Sequence, residues 1–176
     1  TAIEQEVFHD ENLYAAVAAY AKRRAEDEGG MSLSVTTIAL QSKLYDLMYT
    51  NQFFRAVRYI DPEGRQIGVR RAALQTADAA LADDDGRALR VRLTAARVRA
   101  VWEPFDDAHV LLGKLVYNTD TLAPAGCVVI LVAREAFQQP FDSSKMAYAM
   151  LADDGRVLLS QGVNAREAAE ASLREE

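Results

Sequence analysis

The chain has 176 residues, half of them hydrophobic and about a quarter charged, which is enough to bury the core of one domain or of one domain and part of a second. Its net charge of −6 argues against nucleic acid as a partner. The single Cys127 excludes an internal disulfide and a cysteine metal cluster. No apolar run approaches the roughly 18 residues of a membrane span, so any membrane contact is expected only through segments outside this sequence.

The first part of the chain is predicted to form two helices. Apolar residues recur along one side of residues 3–28, and Gly29-Gly30 ends this segment because glycine disfavours a helix. A second helix is predicted from Ser34 to Tyr49, and Ser32 or Ser34 could cap its start. The N-terminal helix either packs on the sheet or pairs with the same helix of a second copy in a homodimer.

A short acidic phrase occurs twice, as IDPEGRQI at residues 60–67 and as LADDGRVL at residues 151–158. Each copy follows an apolar stretch with an aromatic residue and leads into another such stretch. Acidic side chains can hydrogen-bond their own backbone in a tight turn, and glycine adopts a positive φ at no steric cost. Each copy therefore predicts a β-hairpin, and the pair suggests that one module ends and another begins.

Further elements follow the first hairpin. The sequence predicts an Ala-rich helix at residues 72–82 and an acidic turn at 83–86. It also predicts four strands, at residues 89–93, 97–102, 109–117 and 127–133. The segment LRVRL at 89–93 alternates apolar and basic residues, as a half-exposed strand does. The last strand is apolar on both faces, so both faces of the sheet must be covered. The two N-terminal helices can cover one face, and the Ala-rich helix with its loops the other, leaving room there for a ligand.

The end of the chain is too small to fold alone. Residues 138–144 have the composition of a linker, the second hairpin follows, and residues 164–174 are predicted to form a polar helix. A hairpin with one helix cannot bury an independent core. We expect this part to pack on the first module or to be a second module cut short.

The order of these elements resembles the Cache family of extracytoplasmic sensor domains, which are PAS-like domains of bacterial histidine kinases, diguanylate cyclases and chemoreceptors. The resemblance covers roughly residues 1–137. It rests on the Val57–Ile67 hairpin, the Arg97–Phe105 strand with WEPF at its end, the Val110–Tyr117 strand and the Gly126–Ala133 strand. Residues 148–160 resemble the opening hairpin of the second module in a double Cache arrangement.

This resemblance implies an α+β fold with a PAS-like antiparallel sheet of about five strands. A long N-terminal helix and a second helix would pack on this sheet, and a partial second module would follow. The chain is accordingly divided into N-terminal helices at 1–52, a PAS-like module at 53–137, and a linker, hairpin and helix at 138–176.

One departure from the family pattern concerns the ligand. Double Cache domains that bind amino acids tend to carry an Arg-x-Trp-Tyr cluster and a later Asp in the fifth strand. In this chain Trp102 is followed by Glu103, and the strand near Leu131 offers no Asp. Amino-acid binding is therefore not supported.

No catalytic constellation is visible in the sequence. His9 and His109 have no Cys or acidic residue at metal-ligand spacing, and the carboxylates cluster in predicted turns. No glycine-rich loop precedes a helix to bind a phosphate. We therefore expect no enzyme activity, no cofactor and no metal.

Five residues are candidates for ligand binding: Arg70, Arg99, Trp102, Lys114 and Tyr117. Residues 55–99 hold ten Arg against six Asp or Glu, which fits either a solvated strand face or a site that accepts an anion. An aromatic pair beside a cavity, with a cation at its edge, would suit a small anion. The alternatives are that Trp102 and Tyr117 are core aromatics and that Arg70-Arg71 is the solvated start of a helix.

The predicted function is that of a periplasmic small-molecule sensing domain, part of a bacterial receptor anchored in the inner membrane. Such a domain signals through its helices when a ligand shifts the population of two helix arrangements. The alternative is a PAS-like dimerisation or interaction module without a ligand.

Overall fold

The structure, a computed structural model, describes residues 11–26, 31–71, 83–96, 100–118, 121–138, 148–151 and 156–161. Its helices are α1 (Glu11–Ala25), α2 (Met31–Thr50), α3 (Asp83–Ala96) and the short α4 (Glu135–Gln138). Its strands are β1 (Phe54–Ile60), β2 (Gln66–Arg70), β3 (Val101–Pro104), β4 (His109–Tyr117), β5 (Pro124–Ala133), β6 (Tyr148–Leu151) and β7 (Val157–Gln161). None of the helices in these residues combines the length and the apolar composition that crossing a bilayer requires.

Five strands form one antiparallel sheet in the order β2-β1-β5-β4-β3, and β6 and β7 form a separate hairpin. Helices α1 and α2 pack on one face of the large sheet, and α3 packs on the other. The predicted fold class is confirmed. The protein is α+β, with a PAS-like antiparallel sheet of five strands that carries the two N-terminal helices and is followed by a further hairpin.

Strand β5 is the centre of the sheet. It pairs with β1 on one side and with β4 on the other, and all of its residues from Ala125 to Ala133 are buried. Its Val and Ile side chains suit this position because β-branched residues pack well on a pleated surface. Ile130 faces α1 and α2, whereas Val129 faces α3. A strand that is apolar on both faces is therefore covered on both, as the sequence predicts.

Helices α1 and α2 bury side chains at regular spacing against the first face. The buried residues are Leu13, Val17 and Tyr20 from α1 and Leu40, Leu44, Leu47 and Met48 from α2. Their spacing of mainly three or four residues is that of one helix face. The first predicted helix is confirmed over residues 11–25, and its residues 3–10 and 27–28 lie outside the described ones. The second begins at Met31, before the predicted Ser34.

Residues 89–93 are helical, so the strand predicted there is wrong. The LRVRL pattern places two leucines four residues apart, which fits one face of a helix as well as one face of a strand. Leu and Arg are also good helix formers. The helix buries Leu89 and Leu93 against the sheet and leaves Val91 exposed. In a strand, Val91 would share the leucines' face.

The acidic run at residues 83–86 opens α3 and does not form the predicted turn. The Ala-rich helix predicted at 72–82 lies outside the described residues. In the part of the chain that the structure describes, α3 is the helix that covers the second face.

Helix α3 lies directly on the middle of the sheet. A Cβ atom at Gly113 of β4 would be 3.0 Å from Leu93 Cδ1 and 3.1 Å from Leu89 Cδ2. The two leucines therefore fill the space between α3 and β4. The room expected for a ligand on this face is displaced towards the β1–β2 edge of the sheet.

The first predicted hairpin is confirmed, and Asp61 holds its turn. The Asp61 N–H donates to the Arg65 carbonyl oxygen at 2.9 Å, and Asp61 Oδ1 accepts from the N–H groups of Glu63 and Arg65 at 2.9 and 2.8 Å. Gly64 has a φ of 90°, a conformation that a Cβ atom would strain. The acidic residue and the glycine therefore act in the turn as predicted.

The second predicted hairpin is also confirmed, since β6 and β7 pair antiparallel, although its turn residues 152–155 lie outside the described ones. Strand β7 contacts β3, and Leu158 is buried in the same core cluster as α1 and α2. The hairpin therefore packs on the first module, as a piece too small to fold alone must. The helix predicted at 164–174 lies outside the described residues.

The remaining strands differ from prediction mainly at their ends. Strand β3 begins at Val101, within the predicted strand 97–102, of which residues 97–99 lie outside the described ones. Strand β4 has the predicted bounds, and β5 begins at Pro124, three residues before the predicted Cys127.

Substitutions in α3 test its orientation. Leu93→Ala should lower the free energy of unfolding by about 2–5 kcal/mol, because it leaves a cavity against the sheet. Val91→Ala on the same helix is the matched control and should change it by less than about 0.5 kcal/mol, since Val91 is exposed. Urea unfolding followed by circular dichroism measures both values. Equal losses in the free energy of unfolding at the two positions would contradict this orientation of α3.

Candidate functional site

A cleft opens on the α3 side of the sheet, at the edge formed by β1 and β2. It has a volume of about 270 Å³ and is lined by Arg58, Gln66, Gly68, Val69 and Arg70. Arg58 is the cross-strand partner of Gly68, and Gln66 and Arg70 flank Gly68 at alternate positions of β2. Alternate residues of a strand share a face, so the polar side chains of Arg58, Gln66 and Arg70 are on the same side of the sheet.

Gly68 creates the space in this cleft. A Cβ atom at this position would lie 2.7 Å from Arg58 Cγ, so the missing side chain lets Arg58 extend across the strand pair. Arg58 Nη1 donates to Gln66 Oε1 at 3.0 Å, which orients the guanidinium at one end. Arg70 is exposed at the other end and is the diagonal neighbour of Arg58, about 7–8 Å away in such a pair. This distance is between the backbones of the two residues, and side chains as long as arginine can reach a shared ligand at such a separation.

The chemistry of the cleft is that of a donor-rich binding site. Arginine stays protonated in proteins and forms bidentate hydrogen bonds to carboxylate or phosphate. The volume of about 270 Å³ lies just below the roughly 300–1,000 Å³ of common ligand pockets, so the ligand should be small. None of the lining residues that the structure describes carries a carboxylate, hydroxyl or imidazole group. The described lining of the cleft therefore has the chemistry to bind an anion.

The residue after the cleft connects it to α2. Arg71 Nη2 donates to the carbonyl oxygens of Met48 and Asn51, at 3.1 and 3.2 Å. Its guanidinium carbon lies 4.7 Å from the centroid of the Tyr49 ring. An arginine at a helix C-terminus satisfies carbonyls that have no partner within the helix. Arg71 therefore fixes β2 to the end of α2, whereas Arg70 lines the cleft.

The predicted site residue Trp102 lies far from Arg70. It is on β3, at the opposite edge of the sheet from β2, and adjacent strands are separated by about 4.8 Å. Its ring packs edge-on against Phe137 with the centroids 5.4 Å apart. It also shares the α1–α2 face with its cross-strand partner Leu112. Trp102 therefore packs at the margin of the core and does not line the cleft.

Tyr117 is not the neighbour of Trp102 that the strand alternation suggested. It lies exposed at the end of β4, opposite Pro124 of β5. The cross-strand partner of Trp102 is Leu112, about 17 Å away from Tyr117 along β4. The fifth candidate, Arg99, lies outside the described residues.

Lys114 lies under α1 on the face opposite the cleft. Its Nζ donates to the Tyr14 hydroxyl and is 4.9 Å from the centroid of the Tyr14 ring. The contact joins β4 to α1 by a hydrogen bond and a cation–π interaction. Of the described candidates, the structure thus places Arg70 in the cleft and separates Trp102, Lys114 and Tyr117 from it.

Arg58 and Gln66 line the cleft but were not among the predicted site residues. Arg58 lies between the buried Val57 and Tyr59, so its alternation in β1 was visible in the sequence. Its cross-strand partner was not, because the register of β1 against β2 depends on the turn between them. Gly68 was the available signal, since a glycine inside a strand often marks the close approach of another group.

A buried carboxylate, Asp61, lies outside the cleft at the hairpin turn. Burial raises its pKa, opposed by the hydrogen bond from the Glu63 N–H and by the charges of Arg24 and Arg90. Arg90 of α3 donates to the Pro62 carbonyl oxygen, and Arg24 of α1 pairs with Glu63 at 3.5 Å. The turn is thus held by helices from both faces of the sheet.

A second buried carboxylate, Glu103, lies on the edge strand β3. Its side chain is 7% exposed, with Oε2 at 2.5 Å from Arg92 Nη2 of α3 and Oε1 at 3.6 Å from Arg156 Nη2 just before β7. It therefore links β3 to α3 and to the second hairpin. The residue that departs from the amino-acid-binding Cache pattern is part of a structural ion pair.

Groups that could support catalysis or metal binding are not assembled in the described part of the chain. Burial raises the pKa of Cys127 to about 12, so the thiol stays protonated at neutral pH. His109 Nδ1 lies 2.9 Å from Asp106 Oδ1 in a turn, where burial alone would raise the Asp106 pKa but hydrogen bonds from His109 and Ala108 lower it. No group of three or more His, Cys, Asp or Glu side chains among these residues could hold a metal ion.

In comparisons with known proteins, no family model matches the chain and no curated protein matches it. The Cache resemblance stays a prediction based on the order of the elements.

Substitutions of the two residues in the Glu103–Arg92 ion pair should differ in their effect on stability. Arg92→Ala leaves a buried carboxylate without its hydrogen bond and should lower the free energy of unfolding by about 3 kcal/mol. Glu103→Gln leaves half-exposed arginines that water can solvate, so we expect a loss of about 1–2 kcal/mol. Chemical denaturation at neutral pH measures both. A larger loss for Glu103→Gln would contradict this order.

Asp61 should make stability depend on pH in a defined direction. Its pKa is raised above 3.8 in the folded chain, so its stabilising contribution is complete below the unfolded pKa and is lost as the pH rises through the folded one. Asp61→Asn keeps an oxygen that accepts the turn hydrogen bonds but cannot titrate. The variant should therefore gain stability relative to the unchanged protein from about pH 4 to about pH 7. Chemical denaturation at each pH gives the difference in the free energy of unfolding between the two proteins. If this difference stays constant over the range, the raised pKa is contradicted.

Proposed function

We propose that this chain is a sensing domain that binds a small anion in the cleft at the β1–β2 edge. The observation that carries the proposal is the convergence of Arg58, Gln66 and Arg70 around the side-chain-free Gly68. An anion between two arginines is attracted by both of their positive charges. The cleft thus favours a negatively charged ligand over a neutral one.

The class of ligand follows from the donors. Small carboxylates and inorganic phosphate present oxygen pairs that a guanidinium group binds in bidentate geometry. A zwitterionic amino acid would also need an acidic partner for its ammonium group, and the described lining of the cleft has none. The proposed ligand is therefore a small carboxylate or phosphate and not an amino acid.

The position of the cleft is suited to signalling through a helix. Arg71 directly follows Arg70 and binds the carbonyl oxygens of Met48, in the last turn of α2, and of Asn51, just after the helix. A ligand that draws Arg70 towards Arg58 changes the position of β2 and with it the Arg71 contact. In this proposal the ligand shifts the population between two arrangements of α2 relative to the sheet.

The resemblance to the Cache family supports a place for the domain outside the cytoplasm, in a membrane-anchored bacterial receptor. The strand order β2-β1-β5-β4-β3 with helices on both faces agrees with a PAS-like sensor architecture. Within this proposal the domain has no enzyme activity of its own and uses no cofactor or metal.

A ligand screen with variants tests the proposal. Thermal unfolding of the chain is measured with inorganic phosphate and with small mono- and dicarboxylates, and sugars and amines serve as non-anionic controls. A ligand at about 100 times its Kd stabilises by about 2.7 kcal/mol, a shift of several degrees in Tm for a chain of this size. Arg58→Gln and Arg70→Gln should each abolish this shift.

Arg23→Gln is the matched control for these variants. It removes the same charge from an exposed α1 side chain that pairs with Glu26 at 3.2 Å, away from the cleft. It should keep the full ligand-induced shift in Tm. Comparing the shift with phosphate to the shift with carboxylates decides between the two ligand types. Equal losses in all three variants would show that binding follows net charge alone. An undiminished shift in the Arg58 and Arg70 variants would show that the ligand binds elsewhere.

A further inference from the structure

Helix α2 carries exposed apolar side chains on the side opposite to the one it buries. Val35, Ile38, Tyr45 and Tyr49 are between 50 and 66% exposed, and the exposed Ser42 lies between them. These five residues are called the α2 stripe. The helix also buries Leu40, Leu44, Leu47 and Met48 in the core. A helix that is apolar on two sides is typical of one that is covered on both.

The α2 stripe has the spacing of a seam between two helices. Its residues follow one another by steps of three and four, which are the a and d positions of a heptad repeat. From Val35 to Tyr49 it extends about 21 Å along the helix. The charged residues of α2 are Lys43 and Asp46, which pair with each other at 3.3 Å. Neither of these two charged residues belongs to the stripe.

The other long helices offer no comparable surface. Among the described residues, α1 has no exposed large apolar side chain, because Leu13, Val17 and Tyr20 are buried in the core. Helix α3 exposes Val91 alone. The homodimer predicted through the N-terminal helix stays untested for α1, whereas α2 has the apolar surface that such a contact requires.

We propose that the α2 stripe forms a two-fold homodimer contact in which the α2 helices of two copies run antiparallel and cross near Ser42. This register sets Tyr45 against Ile38 of the second copy, and Tyr49 against its Val35. Each aromatic ring then meets a smaller β-branched side chain, and the small Ser42 lets the helices approach at the centre. A parallel pair would set Tyr against Tyr and Val against Val, which packs less evenly.

The size of the stripe agrees with a second copy as the occupant. Its four apolar side chains expose on the order of 400 Å², which is close to the apolar share of the roughly 800 Å² that each partner buries in a stable interface. The exposed Ser34, Gln41 and Asp46 flank it and would supply the polar rim. A surface that is complementary to itself closes as a two-fold dimer and does not propagate.

The aromatic part of the stripe is ordered within the single chain. The rings of Tyr45 and Tyr49 are 4.5 Å apart between centroids, and Arg71 lies over the second ring. Side chains that are already held in place lose less conformational entropy when a partner binds. The proposal of this interface does not rest on ligand binding in the β1–β2 cleft.

Analytical ultracentrifugation of the chain tests the dimer. The unchanged protein should sediment with twice the mass of one chain at tens of micromolar. Ile38→Glu and Tyr45→Glu should sediment as folded monomers, because the contact would have to bury an unpaired charge. Val91→Glu places the same charge at an exposed apolar position of α3 and should remain a dimer.

Cysteine cross-linking tests the register, since the native Cys127 is buried and should not react. With a short bismaleimide, Ser42→Cys should give covalent dimers, Val35→Cys should give them only when mixed with Tyr49→Cys, and Val91→Cys should give none. Efficient cross-linking of Val35→Cys alone would overturn the antiparallel register.

Two further outcomes would overturn the dimer itself. The first is a monomer at every concentration whose Tm is unaffected by Ile38→Glu, which would leave the stripe without an occupant. The second is a monomer that Ile38→Glu destabilises, which would mean that the chain's own residues cover the stripe. Dissociation by Val91→Glu as readily as by Ile38→Glu would also count against the stripe.

Discussion

Strand β5 is buried on both faces, and the rest of the structure follows from this constraint. Because it lies in the middle of the sheet and carries apolar side chains on each side, the chain must cover two faces. Helices α1 and α2 cover one, and α3 covers the other through Leu89 and Leu93. The middle of the sheet is therefore filled, and the edge strands β2 and β3 are where polar side chains can gather.

The two edges use their polar residues differently. At β3, the carboxylate of Glu103 is neutralised by Arg92 of α3 and by Arg156 beside the second hairpin, and β7 packs against the strand. At β2, Arg58 and Arg70 lie beside a cleft whose described lining contains no acidic residue. The β3 edge is thus closed by the protein's own contacts, whereas the β2 edge borders a cleft with arginine side chains in its described lining. This difference is why the proposed site lies at β2.

Local features of this fold could be predicted from the sequence, and features that depend on register could not. The hairpin at Gly64 and the strand β4 follow from turn chemistry and alternation. Helix α3 was mistaken for a strand because two leucines four residues apart fit both periods. Arg70 was found from its charge, whereas Arg58 required the pairing of β1 with β2. Alternation grouped Trp102 and Tyr117 with other residues of their own strands but did not give the register between the strands, so their separation could not be foreseen.

Arg71 lies between the two proposed surfaces and gives them a physical connection. Along the chain it adjoins Arg70 of the cleft, and its guanidinium lies over Tyr49, which belongs to the α2 stripe. A ligand that moves Arg70 would alter the support of the Tyr49 ring and so the affinity between two copies. Linkage then requires that dimerisation change the ligand affinity by the same factor. The dimer and monomer would therefore differ in anion affinity, and this would make α2 the element through which a small ligand acts on the assembly.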